Sequence, residues 1–398
     1  MRLRPILLLL GVITVTFLAR MLLSPLLLQI RSHYGFSHVE GGMLFFRISI
    51  GFSVSMLLSG FVAQKLQHRG TVLASVFIVA AALILLGLAP PRPVFYAALV
   101  LLGAGGGLYG PSGITMLTEV AKTRHWGKAL ALHEAGPILG FFGAPMLAGL
   151  AVRYAGWQAL FLAVAAVSVG IALLFLRYAE GGRFTGVPPS PRNVLAIWAN
   201  SRFWIIALFF VLAIGVELGV YSMLPSFLVD ARGMPESAAN SLVGISRLTA
   251  LVLVFTSGWL ADRFGARLLI GAVAVAAGTA TIAIGVARGP LLLAAVVLQP
   301  MLISAFFPAG FIELSRVAPS QSRNLAVALV IPLGNLFGSG LVPAALGMLA
   351  ERGWFAAGFV AVGVTMPAAV LLLPLLPRTY GASPEDTGCE TASGARSP

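Results

Sequence analysis

The chain has 398 residues, 59% hydrophobic and 10% charged, with a mean hydropathy of +0.96. Soluble globular proteins carry roughly a quarter charged residues, so this composition excludes them and leaves a polytopic membrane protein. The net charge of +13 does not mark a nucleic-acid partner, because the basic residues are spread over many short loops, and the lone Cys389 excludes an intramolecular disulfide.

Twelve apolar runs are long enough to cross about 30 Å of hydrocarbon as helices. They lie near 5–30, 40–63, 71–89, 94–118, 129–152, 157–176, 203–228, 238–261, 268–287, 291–315, 326–350 and 354–376. They are continuously apolar, without the alternation of a barrel strand. Arg2 and Arg4 precede the first run, which is too long for a cleaved signal peptide and is followed by no cleavage pattern. The first run carries Arg20 and the second Arg47; SGFVAQKLQHR, 59–69, follows. The fourth contains Gly103, Gly106, Gly107 and Gly110, then Pro111 and Gly113. The fifth holds His133 and Glu134 and the stretch AGPILG, 135–140. A Gly-, Pro- and Arg-rich connection, 177–202, separates six runs from six. The seventh run carries Glu217 and the eighth Arg247, followed by SGWLADRFGAR, 257–267. Pro308 and Gly310 fall in the tenth, Gly334 and Gly338 in the eleventh.

A displacement of 198 residues maps the first half onto the second. Gly35 falls on Gly233, Gly60 on Gly258, Arg69 on Arg267, Gly136 on Gly334 and Gly140 on Gly338; the GW pair at 156 meets that at 353 after one deletion. Such duplication predicts two parallel bundles related by an axis along the membrane normal. The expected fold is an all-α polytopic membrane protein of twelve helices in two six-helix bundles with pseudo-two-fold symmetry. The expected units are a first bundle, 1–176, a central cytoplasmic loop, 177–202, a second bundle, 203–376, and a disordered cytoplasmic tail, 377–398.

GWLADRFGAR resembles the loop motif of the major facilitator superfamily, which joins the second helix of each bundle to the third. Gly258, Asp262, Arg263, Gly265 and Arg267 fit that pattern, and Ala266 replaces one basic residue. The resemblance covers essentially the whole chain and implies a transporter working by alternating access. It implies that Asp262 helps lock the cytoplasmic side and that Gly258 allows close helix approach. In the first copy Gln64, Lys65 and Gln67 stand where the motif has aspartate, a basic residue and glycine, so the second copy is expected to dominate. Gly136, Pro137 and Gly140 partly resemble the glycine-proline motif of the family's drug and proton antiporters, a pointer to export.

The remaining glycines read as packing devices: Gly136 with Gly140, and Gly334 with Gly338, are spaced to let helix backbones approach. Pro111 and Pro308 mark matching points where a helix is interrupted. Glu119 and Glu313, near helix ends, are expected to be solvated.

Charges inside hydrocarbon cost about 2.5–3.5 kcal/mol each on insertion scales and call for a partner, water or a function. At 1.5 Å per residue, Arg20, Glu217, Arg47 and Arg247 lie about 11–16 Å from the outer ends of their spans. They are either staples, with Glu217 neutralising an arginine, or a site where three arginines and one glutamate leave positive charge for an anion. The arginine pair on the second and eighth helices resembles the nitrate and nitrite branch of the family, although that branch's glycine-rich signature does not stand out. His133 beside Glu134 suits proton coupling.

The sequence thus points to a secondary transporter of a small solute, an organic or inorganic anion, with a proton as coupling ion. The alternatives are a proton-antiport exporter of drugs, lysolipids or other hydrophobic compounds and, more remotely, an integral membrane enzyme, for which no nucleophile elbow, Walker loop or histidine pair at ligand spacing is present. No metal, cofactor or nucleic acid is expected; the partners are the solute and the lipid bilayer, and the protein is expected to be a monomer in a prokaryotic plasma membrane. Seventeen basic residues fall on the side of the termini and six on the other, which places both termini in the cytoplasm. Reporter fusions after residue 190 are therefore expected to read cytoplasmic and insertions near Pro91 or Ala231 external; an external C-terminus overturns the twelve-span topology.

Overall fold

The computed structural model describes residues 3–121, 126–186, 189–317 and 323–376. The expected tail, 377–398, with Cys389, and the residues Arg2, Arg124 and His125 lie outside the described residues. Hydrocarbon offers the backbone no hydrogen-bond partners, so each crossing must satisfy its own amides as a helix. The membrane helices are α1 (Leu3–Tyr34), α2 (38–66), α3 (68–87), α4 (Arg92–Val120), α5 (Trp126–Tyr154) and α6 (Gly156–Tyr178) in the first half. The second half contains α7 (Ser201–Asp230), α8 (236–264), α9 (Ala266–Val286), α10 (Gly289–Val317), α11 (Leu325–Glu351) and α12 (Phe355–Leu375).

Helices α2 and α3 form one continuous 50-residue helical stretch, His38–Gly87, that reverses at Gln67. Both arms lie against the same level of α4: a Cβ on Gly103 would overlap the Ile48 carbonyl, and one on Gly105 would lie 2.6 Å from a Val79 methyl. The stretch is therefore two passes, and twelve passes return the chain to its starting face, here the termini face; the opposite one is the far face.

The internal repeat is visible in the backbone. Positive φ recurs at Gly35 and Gly233 (64° and 67°), at Gly156 and Gly353 (81° and 77°), and at Gln67 and Gly265 (60° and 86°). Gly136 and Gly140 of α5 press on Ile13 and Leu18 of α1, and Gly334 and Gly338 of α11 press on Ile214 and the Val211 carbonyl of α7. In both halves the first and fifth helices meet through glycine, as close packing of membrane helices requires.

The proline breaks are less symmetrical than their spacing predicts. Helix α10 is interrupted at Ala305, just before Pro308, whereas α4 stays helical through Pro111. One lost backbone bond is tolerable in a packed span. Glu313 also departs from expectation: it is 1% exposed and accepts from Arg316 Nη1 at 2.7 Å, because that arginine lies one turn away.

One apolar core runs from the first half into the far-face part of the second, including Met223, Phe227, Val243, Phe355 and Phe359. The termini-face part of the second half has a core of its own, including Phe203, Phe210, Ile270, Phe306 and Val330. Polar contacts between halves follow the same division. They begin near mid-span, where Ser53 Oγ donates to the Pro332 carbonyl at 2.8 Å, and extend to the far face. There Arg31 Nη1 meets Asp230 at 3.1 Å, His38 Nε2 lies 3.4 Å from the same carboxylate, and the His38 amide donates to Glu351 at 2.8 Å. The halves are joined at the far face and separately packed at the termini face.

The 177–202 connection is more ordered than a loop. Residues 180–186 fold back on the α2–α3 turn: the Arg69 amide donates to Gly182 O at 2.9 Å, the His68 amide to Phe184 O at 3.3 Å, and the Gly186 amide to Ala63 O at 3.1 Å. Glu119 accepts from the Gly182 amide at 2.6 Å. The short helix Pro191–Trp198 belongs to the second half, with Ile197 in its core.

Gln67, with φ 60° and ψ 168°, occupies a region essentially reserved for glycine, at a cost of about 1–3 kcal/mol. Gln67→Gly is expected to stabilise the protein by about 1 kcal/mol, read as a higher melting temperature; a lower one would show that the Gln67 side chain compensates for its backbone.

Candidate substrate site between the two halves

The intramembrane charges sit where the helices are irregular. α1 loosens at Leu22, just past Arg20 and three residues before Pro25; α8 loosens at Thr249, just past Arg247. Glu217 lies in a π-helical segment, Gly215–Gly219, and Asn335 and Ser339 lie in another, Gly334–Leu341. Such segments often mark functional positions, since they free backbone groups and re-aim side chains. The two touch: a Cβ on Gly219 would lie 2.7 Å from the Gly338 carbonyl.

Arg20 is 8% exposed and crosses from the first half to the second. Its Nη2 donates to Asn335 Oδ1 at 2.5 Å and to Ser339 Oγ at 2.9 Å, and its guanidinium stands 4.4 Å from the Phe52 ring centre. Ser339 Oγ is in turn 3.0 Å from Ser49 Oγ. These neutral groups hold the cation without cancelling it. Arg20 opens on a cavity walled by Met21, Phe45, Ile48 and Leu218 on its apolar side and by Ser24, Ser49, Tyr221, Ser222 and Ser339 on its polar side. Among the described residues no acid lines it. Its volume here is about 10 Å³, room for a single water.

Arg247 lies behind Tyr221, with its guanidinium 4.6 Å from that ring centre and 5.0 Å from Phe141. It is 2% exposed, and its buried Nε and Nη2 have no hydrogen-bond partner among the described residues. Glu217 is within electrostatic reach of it without forming an ion pair of 4 Å or less among the described residues. Unmade hydrogen bonds on a buried guanidinium are costly, so this side chain is poised for a further acceptor.

Arg47 is not brought into this group. It lies on the α2 face opposite Phe45, Ile48 and Ser49, donates to its own helix at Met43 O at 3.0 Å, and stacks 3.8 Å over Tyr96 of α4. Equal depth predicted a shared site; the rotation of the helix separates them.

His133 and Glu134 are joined by a residue that sequence reasoning missed. The buried Tyr109 hydroxyl lies 2.8 Å from His133 Nε2 and 3.1 Å from the Leu9 carbonyl, and His133 Nδ1 is 3.3 Å from Glu134 Oε1. The hydroxyl has one proton for two neighbours. If it is given to Leu9, Nε2 must carry a hydrogen, and the Nδ1–Oε1 contact then requires a further proton on one side or the other. Glu134 is 58% exposed, so that proton has a route to solvent. The only sequence signal was a tyrosine among the glycines of the fourth span.

In the loop motif, Asp262 and Arg263 are exposed, and Arg263 lies over Trp259 and Phe264 at 5.3 and 5.7 Å. Arg267 donates to the Leu373 carbonyl, and to Leu376 O at 2.7 Å, tying the turn to the end of α12. Among the described residues nothing lies within 4 Å of a Cβ built on Gly258. The close approach implied for this glycine is not made in this arrangement, because the halves are separately packed at this face. Pro137 sits inside an unbroken α5.

Two pseudo-symmetric six-helix bundles enclosing a charged mid-membrane cavity define a membrane transporter fold. The sequence matches the family model for the Major Facilitator Superfamily over residues 9–286 and 219–393, and the chain belongs to that superfamily. It is 24% identical over 384 residues to the cis,cis-muconate transport protein of Acinetobacter baylyi, covering 90% of this chain and 89% of that one. It is 27% identical over 279 residues to a probable nitrate/nitrite antiporter of Thermus thermophilus, covering 64% and 60%. Among solved structures it resembles a bacterial homologue of the human lysosomal transporter Spinster, inward-facing and occupied, with a TM-score of 0.74 at 17% identity over 93% of this chain and 95% of that one.

Asn335 is the amide acceptor that Arg20 takes from the opposite half. Asn335→Ala is expected to destabilise the protein by about 1–3 kcal/mol, whereas Ser222→Ala, which removes a hydroxyl bonded only to its own helix at Leu218 O, costs clearly less. Melting curves of the purified variants check this, and equal losses would show that Arg20 finds another partner.

Proposed function

We propose that the protein is a secondary transporter of small organic carboxylates that cycles by alternating access with proton coupling. The observation that carries this reading is the cavity at Arg20: a buried guanidinium held by neutral partners, surrounded by hydroxyls and, among the described residues, lined by no acid. A carboxylate placed there meets a planar cationic donor and serine hydroxyls, while an apolar body packs on Met21, Phe45, Ile48 and Leu218. Arg247 adds a second positive charge with unused donors. The organic substrate named for the Acinetobacter baylyi relative agrees with this division into charged and apolar walls.

The nearly filled cavity supports movement of the halves, since no solute enters about 10 Å³. Closure at the far face and separate packing at the termini face suit an inward-facing stage, with the far face outside and the termini in the cytoplasm of a prokaryotic cell. Tyr109, His133 and Glu134 are the proton path, and Glu217, near both Arg247 and Glu134, links it to the anion. Protonation of Glu217 frees Arg247 for the substrate; its deprotonation competes for the same guanidinium. Asp262 closes the termini face when the halves meet there.

The test is binding and uptake of cis,cis-muconate and simpler carboxylates by purified and reconstituted protein. Arg20→Lys and Arg247→Lys keep the charge but lose the planar fork, and each is expected to weaken binding about tenfold or more, while Arg47→Lys changes it little. Glu217→Gln is expected to bind substrate and lose acceleration by an acid-outside gradient. A cationic substrate, or unchanged affinity in both lysine variants, ends the carboxylate reading.

A further inference from the structure

Of the far-face arginines, Arg31 has Asp230 and Arg92 has Glu40 as ion-pair partners. Arg232, in the α7–α8 turn, and Arg288, at the head of α10, instead come together around a cavity of about 440 Å³ whose wall includes Met234, Gly289, Leu292 and Leu293 and, among the described residues, no acidic side chain. Arg232 is held in place: its Nη2 donates to Gly285 O at 2.5 Å and Ile284 O at 3.3 Å, and its guanidinium lies 4.8 Å from the Phe227 ring centre. Its buried Nε has no partner among the described residues. Burial, and then the neighbouring Arg288 charge, hold Arg232 below its usual pKa. The same wall includes Gly289 at the start of α10, a helix end without a side-chain cap whose free amides favour negative charge.

Two adjacent cations with no acid between them repel each other unless an anion joins them. The surroundings also specify its setting, because Val286 and Leu291 are 65% and 64% exposed beside the cavity, where helix ends meet the bilayer interface. We propose that this cavity is a binding site for a phosphate-type oxyanion, supplied by the headgroup of an anionic phospholipid whose chains run along Val286, Leu291 and Leu293. Arg232 and Arg288 supply the positive charge at the cavity wall, and the first turn of α10 completes the cradle. The site is separate from the central cavity and independent of the transported solute.

The experiment measures thermal stabilisation of full-length purified protein titrated with phosphatidylglycerol, phosphatidylcholine or inorganic phosphate. Phosphatidylglycerol is expected to stabilise the wild type, with half-saturation moved about fivefold higher in Arg288→Gln and at least as far in Arg232→Gln. Arg352→Gln, an exposed far-face arginine outside the cavity, is expected to titrate as wild type. Because Arg232 also binds two backbone carbonyls, Arg288→Gln is the decisive variant if Arg232→Gln folds poorly. Stabilisation by phosphate alone, with the same dependence on Arg288, keeps the oxyanion chemistry and assigns its source to solution instead of lipid. Equal shifts in Arg288→Gln and Arg352→Gln, or no difference between phosphatidylglycerol and phosphatidylcholine together with no response to phosphate, overturn the site.

Discussion

Backbone meeting backbone at glycine is the constraint on which the rest of the structure depends. Helices in a bilayer gain nothing from burying apolar surface against one another, since lipid is equally apolar, so association rests on close packing and directed hydrogen bonds. A Cβ on Gly51 would overlap the Val100 carbonyl of α4, and one on Gly42 would overlap the Pro343 carbonyl of α11. The first contact fixes α2 within its half, and the second fixes the halves to each other. Without that proximity, the Arg20 guanidinium would fall short of Asn335 and the α7 and α11 irregularities would not touch.

The fold was largely legible because its signals are additive along the chain. Apolar run length defines each crossing, and the 198-residue displacement defines the symmetry; Gly35 with Gly233, and Gln67 with Gly265, share backbone conformations as that displacement requires. The site was legible only in outline. Depth follows from counting residues, so Arg20, Arg47, Glu217 and Arg247 could be placed at a similar level. The rotation of each helix does not follow from counting, and Arg47 consequently turns to Tyr96 while Arg20 turns inward. The uncharged partners were also missed: Asn335, Ser339 and Tyr109 carry no mark in sequence that separates them from other polar residues in apolar runs.

The buried cations show how neutral chemistry keeps a charge available. An acid in contact with Arg20 would have produced a staple; an amide oxygen and a hydroxyl satisfy part of its donor set and leave the positive potential intact. Arg247 is held differently, between two aromatic faces that stabilise a cation through their quadrupoles without accepting its hydrogens. Both arrangements orient a guanidinium without placing a carboxylate at ion-pair distance from it among the described residues.

The docking of the 177–202 connection at both its ends leaves little chain between the two halves. Residues 180–186 are fastened to the α2–α3 turn, and the helix Pro191–Trp198 is fastened to the second half, where Trp204 Nε1 donates to the Trp198 carbonyl at 2.8 Å. Between these two docked pieces the sequence has only the residues from Gly186 to Pro191. At roughly 3.5 Å per residue the contour of this stretch is about 17 Å. In the transport cycle proposed above, a connection this short would act as a leash on the separation of the two halves at the termini face.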